Sequence, residues 1–245
     1  MQSVSIVMPA YNEEGIIEKS VRDYYDEIVR KVDHAELIIV DDWSTDNTPL
    51  ILKNLSKELP KLKIAKTSVN SGHGAALRLG LELAKNEFVF HTDSDYQHDP
   101  REFWKLYPFI DQHDIVTGYR AERHDPPHRK FITAMVRLSG RMLFHVALKD
   151  MNCPFRIYRK STLDTLLKVV DKKAFAPSIM LCLAASFYGV RMKEVAVTHY
   201  PRSTGRTSIA GFRLTSICLR CFKDLLILRK NLAGNTITVR EKAQR

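Results

Sequence analysis

The stretches ELIIVDD, residues 36–42, and EFVFHTDSD, residues 87–95, share one pattern: a short apolar run followed by paired aspartates. Apolar runs of this length, bounded by polar residues, read as strands buried on both faces of a parallel sheet. In an open α/β sheet, ligands collect outside the carboxyl ends of such strands. Asp41-Asp42 and Asp93-Ser94-Asp95 are therefore expected to face one cleft. In an extended segment residues i and i+2 point the same way, so Asp93 and Asp95 can approach one cation from one side. Oxygen-only ligands favour Mg²⁺ or Mn²⁺ over zinc. D-x-D alone is a weak signal; its place opposite a second acidic strand end gives it weight.

Outward from these runs, strand-like and helix-like segments alternate: Val4 to Met8, a helix after Asn12, Leu37 to Val40, a helix opening near Asn47-Thr48, Leu62 to Ala65, a helix from Gly74 to Lys85, then Phe88 to His91. This is the signature of a doubly wound α/β fold, a Rossmann-like, mostly parallel sheet flanked by helices. Another helix past Asp99-Pro100 and a strand over Asp114 to Thr117 follow, after which the order becomes less regular. His124 to Lys130, with Pro126-Pro127, reads as a mobile loop.

At 245 residues and 44% hydrophobic content the chain can bury one sizeable core, which excludes a disordered class. Four cysteines, with no secretory leader ahead of the first strand, set the expectation of a reducing compartment. Cys218-x-x-Cys221 lacks a second ligand pair and reads as an ordinary helix face. Ala174 to Val190, the longest uncharged stretch, contains Pro177 and Ser178 and falls short of the roughly 20 apolar residues of a membrane span, so a buried core helix is expected. The net charge of +10 is concentrated: residues 201–245 hold ten Lys/Arg against two Asp/Glu. A basic block of this kind seeks an anionic surface or forms a solvated face.

Within that block Ile209 to Leu232 has helical periodicity. Arg213, Ser216, Arg220, Lys223 and Lys230 fall on one face, and Leu214, Ile217, Cys218, Cys221, Phe222, Leu225, Leu226, Leu228 and Leu232 on the other. Such a helix either lies in a lipid interface or docks its apolar face on the domain, and the two are compatible. Its aliphatic interleaving argues against nucleic acid as partner. The expected organisation is a domain over residues 1–205, an amphipathic basic helix over 206–234 and a polar tail over 235–245.

Seven segments, MPAYNEEG, DDWSTDNT, NSGHGAALRLGL, TDSDYQHDP, VTGYR, NCPFRIYRK and RSTGRTS, occur in the order found in family 2 glycosyltransferases of the GT-A fold. Across residues 3–210 the chain resembles the dolichyl-phosphate mannose synthase and polyprenyl-phosphate glycosyltransferase branch. The resemblance implies a nucleotide-sugar donor contacted by Pro9, Tyr11, Glu13 and Asp42, with Asp93 at the donor's edge. It implies a divalent cofactor, Mg²⁺ or Mn²⁺, on Asp93 and Asp95 with Gln97 as third contributor. A cation there stabilises the charge that develops on the leaving diphosphate. It also implies Arg120, Arg129 and Arg202 as acceptor residues, suited to phosphate because guanidinium grips it as a fork.

Other readings stay open at single sites. Asp41-Asp42 also fits a helix-entry turn capped by Ser44 or Asp46. Asn70 to Gly74 fits either an anion-binding loop or a bare tight turn, and Asp99 reads as a cap before Pro100. Trp43 stands where the family most often has glycine, Cys153-Pro154 where C-G is common, and Thr207-Ser208 where Ser-Lys is usual.

The acceptor follows from what is missing. A sugar hydroxyl must lose a proton as it attacks, which demands a general base; a phosphate monoester is already ionised at pH 7. Ala176-Pro177-Ser178 stands where hydroxyl-accepting relatives often place a carboxylate, and the Q-x-x-R-W motif of processive synthases is absent, leaving Asp150 as the one spare base candidate. The expectation is inverting, metal-dependent transfer of a sugar to a polyprenyl phosphate by a protein peripheral on the cytoplasmic face of a membrane, with room for a separate membrane subunit. The rivals are a saccharide hydroxyl acceptor with Asp150 as base, and a basic membrane- or nucleic-acid-binding module with an idle transferase site.

Overall fold

A seven-stranded sheet organises the computed structural model, which describes residues 2–121, 140, 142–144, 146, 148–201 and 213–234. The strands are β1 (Val4–Ala10), β2 (Ala35–Asp41), β3 (Leu62–Lys66), β4 (Phe88–His91), β5 (Ile115–Arg120), β6 (Arg156–Arg159) and β7 (Met192–Val197), in the order β3-β2-β1-β4-β6-β5-β7. All neighbours pair in parallel except β6, which runs antiparallel to both β4 and β5. The helices are α1 (Ile17–Tyr24), α2 (Thr48–Glu58), α3 (His73–Leu83), α4 (Phe103–Leu106), α5 (Lys160–Val169), α6 (Pro177–Phe187) and α7 (Arg213–Gly234).

The apolar runs are continuous because both faces of the central strands are covered. Ile6, Met8, Leu37, Ile39, Phe88 and Phe90 pack with Ile17 and Val21 of α1, Leu52 and Leu55 of α2 and Phe103 of α4. Their neighbours Val7, Ile38, Val40 and Val89 share the opposite core with Ala76, Leu77 and Leu81 of α3, Leu166 of α5 and Leu181 of α6. Helix α3 approaches the sheet closely at Gly80, where a Cβ would stand 2.4 Å from Val7 Cγ1. Helix α6 is the buried core helix expected from Ala174 to Val190: Met180 to Ala185 are all buried.

Helix α7 divides the apolar face that its periodicity predicts. Leu225, Leu228 and Leu232 are buried in the α3 core. Asp224 Oδ2 accepts the Phe175 N–H at 2.8 Å, and Asn231 Nδ2 donates to Val169 O at 2.9 Å. Phe222 and Leu226, one turn apart, are each 53% exposed, beside exposed Arg220, Lys223, Arg229 and Lys230. Among the described residues no helix is long and apolar enough to cross a membrane.

Candidate active site

Strands β1, β2 and β4 lie side by side, with Ala10 level with Asp41 and Val7 level with His91. Behind each comes a non-glycine residue in the left-handed region: Asn12 (φ 53°), Trp43 (φ 63°) and Tyr96 (φ 57°). Such conformations are costly for L-residues and gather at functional sites. The positive φ at Trp43 also explains why glycine suits that position.

The turns after β1 and β2 are laced together. Asn12 N donates to Ser44 Oγ (3.0 Å), Thr45 N to Asn12 Oδ1 (2.8 Å), Glu13 N to Thr48 Oγ1 (2.9 Å) and Asn47 N to Glu14 Oε2 (2.9 Å). Of the residues expected at the donor, Pro9 is buried in β1 past its last β4 partner, where no ladder donor is lost. Tyr11 is 45% exposed and Trp43 46%, the latter with Lys66 Nζ 4.6 Å from its ring centroid.

Asp41 and Asp42 serve the turns in this conformation. Asp41 Oδ1 accepts Ser44 N at 3.0 Å, while Asp46 Oδ1 accepts Thr48 N at 2.9 Å at the entry to α2. Asp42 accepts from Thr67 Oγ1 (2.8 Å), Ser71 N (2.9 Å) and Gly72 N (2.7 Å). The amides of Ser71 and Gly72, which the sequence offers to an anion, thus meet the Asp42 carboxylate. This clamp fixes the start of α3.

At the end of β4, Asp93 Oδ1 is buried without a hydrogen-bond partner. Burial opposes ionisation of Asp93, but His73, His91 and His98 around it outweigh burial and hold its carboxyl below the usual range. Buried His91 is shifted the other way, toward the neutral imidazole, by desolvation. His73 Nε2 and His91 Nε2 each lie 3.7 Å from Asp93 Oδ1. Asp95 is 5% exposed, and its Oδ1 accepts Gln97 N at 3.2 Å. Gln97 Nε2 donates to Tyr200 O at 3.0 Å, so its side chain ties this turn to the chain after β7. An ionised, buried and orphaned carboxylate oxygen is what a cation satisfies, and on that ground Asp93 fits a divalent ion. Asp99 caps the following turn as expected, accepting Arg101 N at 2.9 Å.

Arg120, at the end of β5, is locked to Asp150 in a fork: Nε to Oδ2 at 2.7 Å and Nη2 to Oδ1 at 3.1 Å, the side chains 11% and 4% exposed. Asp150 Oδ1 also accepts Asn152 N at 3.1 Å. A carboxylate so engaged is poorly placed to take a proton. Arg129, Arg202 and the loop His124 to Lys130 lie outside the described residues.

Residues beyond the sequence-based set also converge here. Arg156 is fully buried. It donates to Thr117 Oγ1 (2.9 Å), Tyr158 OH (3.1 Å), Ser178 O (3.0 Å), Met151 O (3.1 Å) and Cys153 O (3.3 Å), organising the turn that carries Asp150. Its signal is an arginine inside the apolar run CPFRIY. His91 carries the parallel signal, a histidine closing FVFH directly before the acidic pair.

Comparison with known proteins gives a consistent picture. The model of the family described as Glycosyl transferase family 2 matches residues 5–167. An undecaprenyl-phosphate 4-deoxy-4-formamido-L-arabinose transferase of Pseudomonas aeruginosa is 28% identical over 216 residues, covering 87% of this chain and 62% of the relative. The chain therefore spans about three-fifths of the length of such curated relatives. Glucosyl-3-phosphoglycerate synthase from Mycobacterium tuberculosis, in complex with Mn²⁺, uridine-diphosphate and glucosyl-3-phosphoglycerate, superposes with a TM-score of 0.67 at 20% identity, covering 94% of this chain and 80% of that one. TarS 1-349 of S. aureus in complex with UDP gives 0.59 at 23% identity, covering 81% and 60%. The sheet and its helices are those of a GT-A fold.

Proposed function

The chain belongs to glycosyl transferase family 2, and from that premise we propose that it moves a sugar from a nucleotide sugar to a polyprenyl phosphate at a membrane surface. The observation that carries the choice of acceptor is the Arg120–Asp150 fork. It engages the spare carboxylate that a hydroxyl acceptor would need, whereas an ionised phosphate needs no base. The naming of the Pseudomonas relative as an undecaprenyl-phosphate transferase supports the same acceptor.

In this reading Tyr11, Trp43 and the laced turns receive the nucleotide, and Asp93, Asp95 and Gln97 hold Mg²⁺ or Mn²⁺. When bound, the ion neutralises charge on the departing diphosphate. Arg120, held in place by Asp150, together with Arg129 and Arg202 draws in the acceptor phosphate. One phosphate oxygen forms the new bond to the anomeric carbon from the side opposite the diphosphate, whose bond breaks with its electron pair, inverting that carbon. Exposed Phe222 and Leu226 with their basic neighbours support a lipid-facing role for α7, and a separate membrane subunit would be compatible with it.

The test supplies the purified chain with Mn²⁺ or Mg²⁺ and radiolabelled nucleotide sugars, with and without a polyprenyl phosphate, and counts label partitioning into organic solvent. Metal-dependent label that requires the lipid is expected, and Asp95→Ala should abolish it without unfolding the chain. Label on soluble saccharides instead would transfer the assignment to a hydroxyl acceptor.

A further inference from the structure

His91 is 1% exposed, and neither of its ring nitrogens has a hydrogen-bond partner. Buried polar groups in folded proteins are nearly always satisfied, so two orphaned nitrogens on one ring mark a position made for a ligand. The ring has a definite neighbourhood. Val89, two residues before His91 in β4, belongs to the core shared with α3, and the strand period carries His91 to that same side. Helix α3 opens there with His73, directly after Gly72, whose φ of 85° turns the chain and whose N–H is gripped by Asp42.

The result is a compact donor set. The Nε2 atoms of His73 and His91 each stand 3.7 Å from Asp93 Oδ1, and one ligand atom from each of the three residues falls within 4.8 Å of the others. Asp93 Oδ1 also lacks a hydrogen-bond partner. Ligands held about 2.0–2.2 Å from one ion stand roughly 3–4 Å apart, so small side-chain adjustments complete the arrangement. The neighbouring His98 is committed differently, its Nδ1 meeting Thr198 O at 2.9 Å and its ring packing on Phe155.

We propose that His73, His91 and Asp93 together bind a divalent transition metal through two imidazole nitrogens and one carboxylate oxygen. This rests on the reading that a cation sits at Asp93, and deepens it by changing the chemistry of the site. Imidazole ligands suit later transition ions such as Zn²⁺, Fe²⁺ and Ni²⁺ best and are accepted by Mn²⁺, whereas Mg²⁺ keeps to oxygen. The mixed set therefore selects a transition ion, against the oxygen-only expectation from D-x-D. Anchoring by Asp42 of the loop before His73 couples the metal ligand to the turn after β2.

The full chain, stripped with a chelator and desalted, is titrated with Mn²⁺ and Co²⁺, and the Mn²⁺ adduct is examined by pulsed EPR, which detects directly coordinated nitrogen without any turnover. Imidazole nitrogen modulation is expected in the unaltered protein, with Mg²⁺ displacing Mn²⁺ only in large excess. His73, with its side chain 58% exposed, can be removed without disturbing the core. His73→Ala should weaken Mn²⁺ binding about ten-fold or more and remove part of the modulation. His91→Gln, checked by circular dichroism for folding, should do the same. Mn²⁺ binding without nitrogen modulation, unchanged in His73→Ala and lost in Asp95→Ala, would overturn the histidine ligands and leave the D-x-D reading standing. No binding of either ion by the unaltered protein would overturn both.

Discussion

Asp42 illustrates how one carboxylate sets the geometry of a neighbouring element. It accepts from Thr67 Oγ1 and from the amides of Ser71 and Gly72, while itself only 2% exposed. Of these donors Thr67 is buried whereas Ser71 and Gly72 are exposed, so removing the charged acceptor costs about 1–3 kcal/mol, mainly through Thr67. Asp42→Ala should lower the urea midpoint accordingly, and the Ser71 and Gly72 amides should exchange hydrogen much faster than in the unaltered chain. Unchanged exchange at those two amides would show that the loop is held by something else. Residue by residue, the site is only partly legible in the sequence. Asp93 and Asp95 stand out because their spacing and strand-end position carry meaning together. His91 carries only a weak signal, since one histidine closing FVFH before that pair reads equally as a core residue until the fold brings His73 across from α3. Asp150 reads as a spare base until Arg120, thirty positions earlier, closes on it.

Among the elements, β1, β2 and β4 are legible because each is buried along its whole length, and the helices beside them because each has an apolar stripe; β3, at the sheet edge with only Leu62 buried, is legible from its place in the alternation. β6 and β7 escape that logic. β6 is RIYR, half arginine, and its polarity makes sense only with Arg156 folded inward onto Ser178 and Cys153. β7, MKEVAV, is largely half-exposed at the sheet edge, so its pattern lacks a continuous apolar run. Close packing also reverses a propensity rule at α3. In a solvated helix Gly→Ala stabilises by about 1 kcal/mol, but at Gly80 the new Cβ would meet Val7 Cγ1 at 2.4 Å and Val40 Cγ2 at 3.0 Å. Gly80→Ala is expected to destabilise by about 1–3 kcal/mol, read as a lower melting temperature, and Val7→Ala in the same chain should recover part of the loss.

The tie between the end of β7 and the helical turn after β4 adds a pH signature. Glu102 Oε2 accepts Thr198 N and Oε1 accepts Thr198 Oγ1, both at 2.7 Å. Burial alone would raise the Glu102 pKa, but hydrogen bonds from Lys105 and Thr198 outweigh it and hold the carboxyl below its ordinary 4.5. A carboxyl depressed on folding contributes stability that is present above the unfolded value and is lost as pH falls through the folded one. Denaturation midpoints should therefore fall on acidification below 4.5, and Glu102→Gln should flatten part of that slope. An acid limb of identical steepness in the variant would remove Glu102 from the account.

At the scale of the whole molecule, the net charge of +10 and the position of α7 bear on one question: which way the protein faces. Helix α7 has two apolar ridges with different environments, and each has its own measurable consequence. Leu228, 2% exposed in the core with Leu225 and Leu232, should cost about 2–5 kcal/mol on substitution by Ala, with little effect on lipid affinity in protein that remains folded. Phe222 and Leu226, each 53% exposed, should be nearly neutral for stability when changed to Ser. If that ridge enters a bilayer, each side chain contributes about 1.5–3 kcal/mol on burial, and the double variant should lose vesicle binding by roughly ten-fold or more. Sedimentation with vesicles containing anionic lipid measures this directly. Binding should also weaken as salt rises, because exposed Arg220, Lys223, Arg229 and Lys230 lie beside the ridge and surface charges are screened within about 10 Å at 0.1 M salt. Equal vesicle binding by the unaltered chain and the Phe222/Leu226 double variant would show that α7 only completes the core, and would move the search for the lipid-facing surface elsewhere on the molecule.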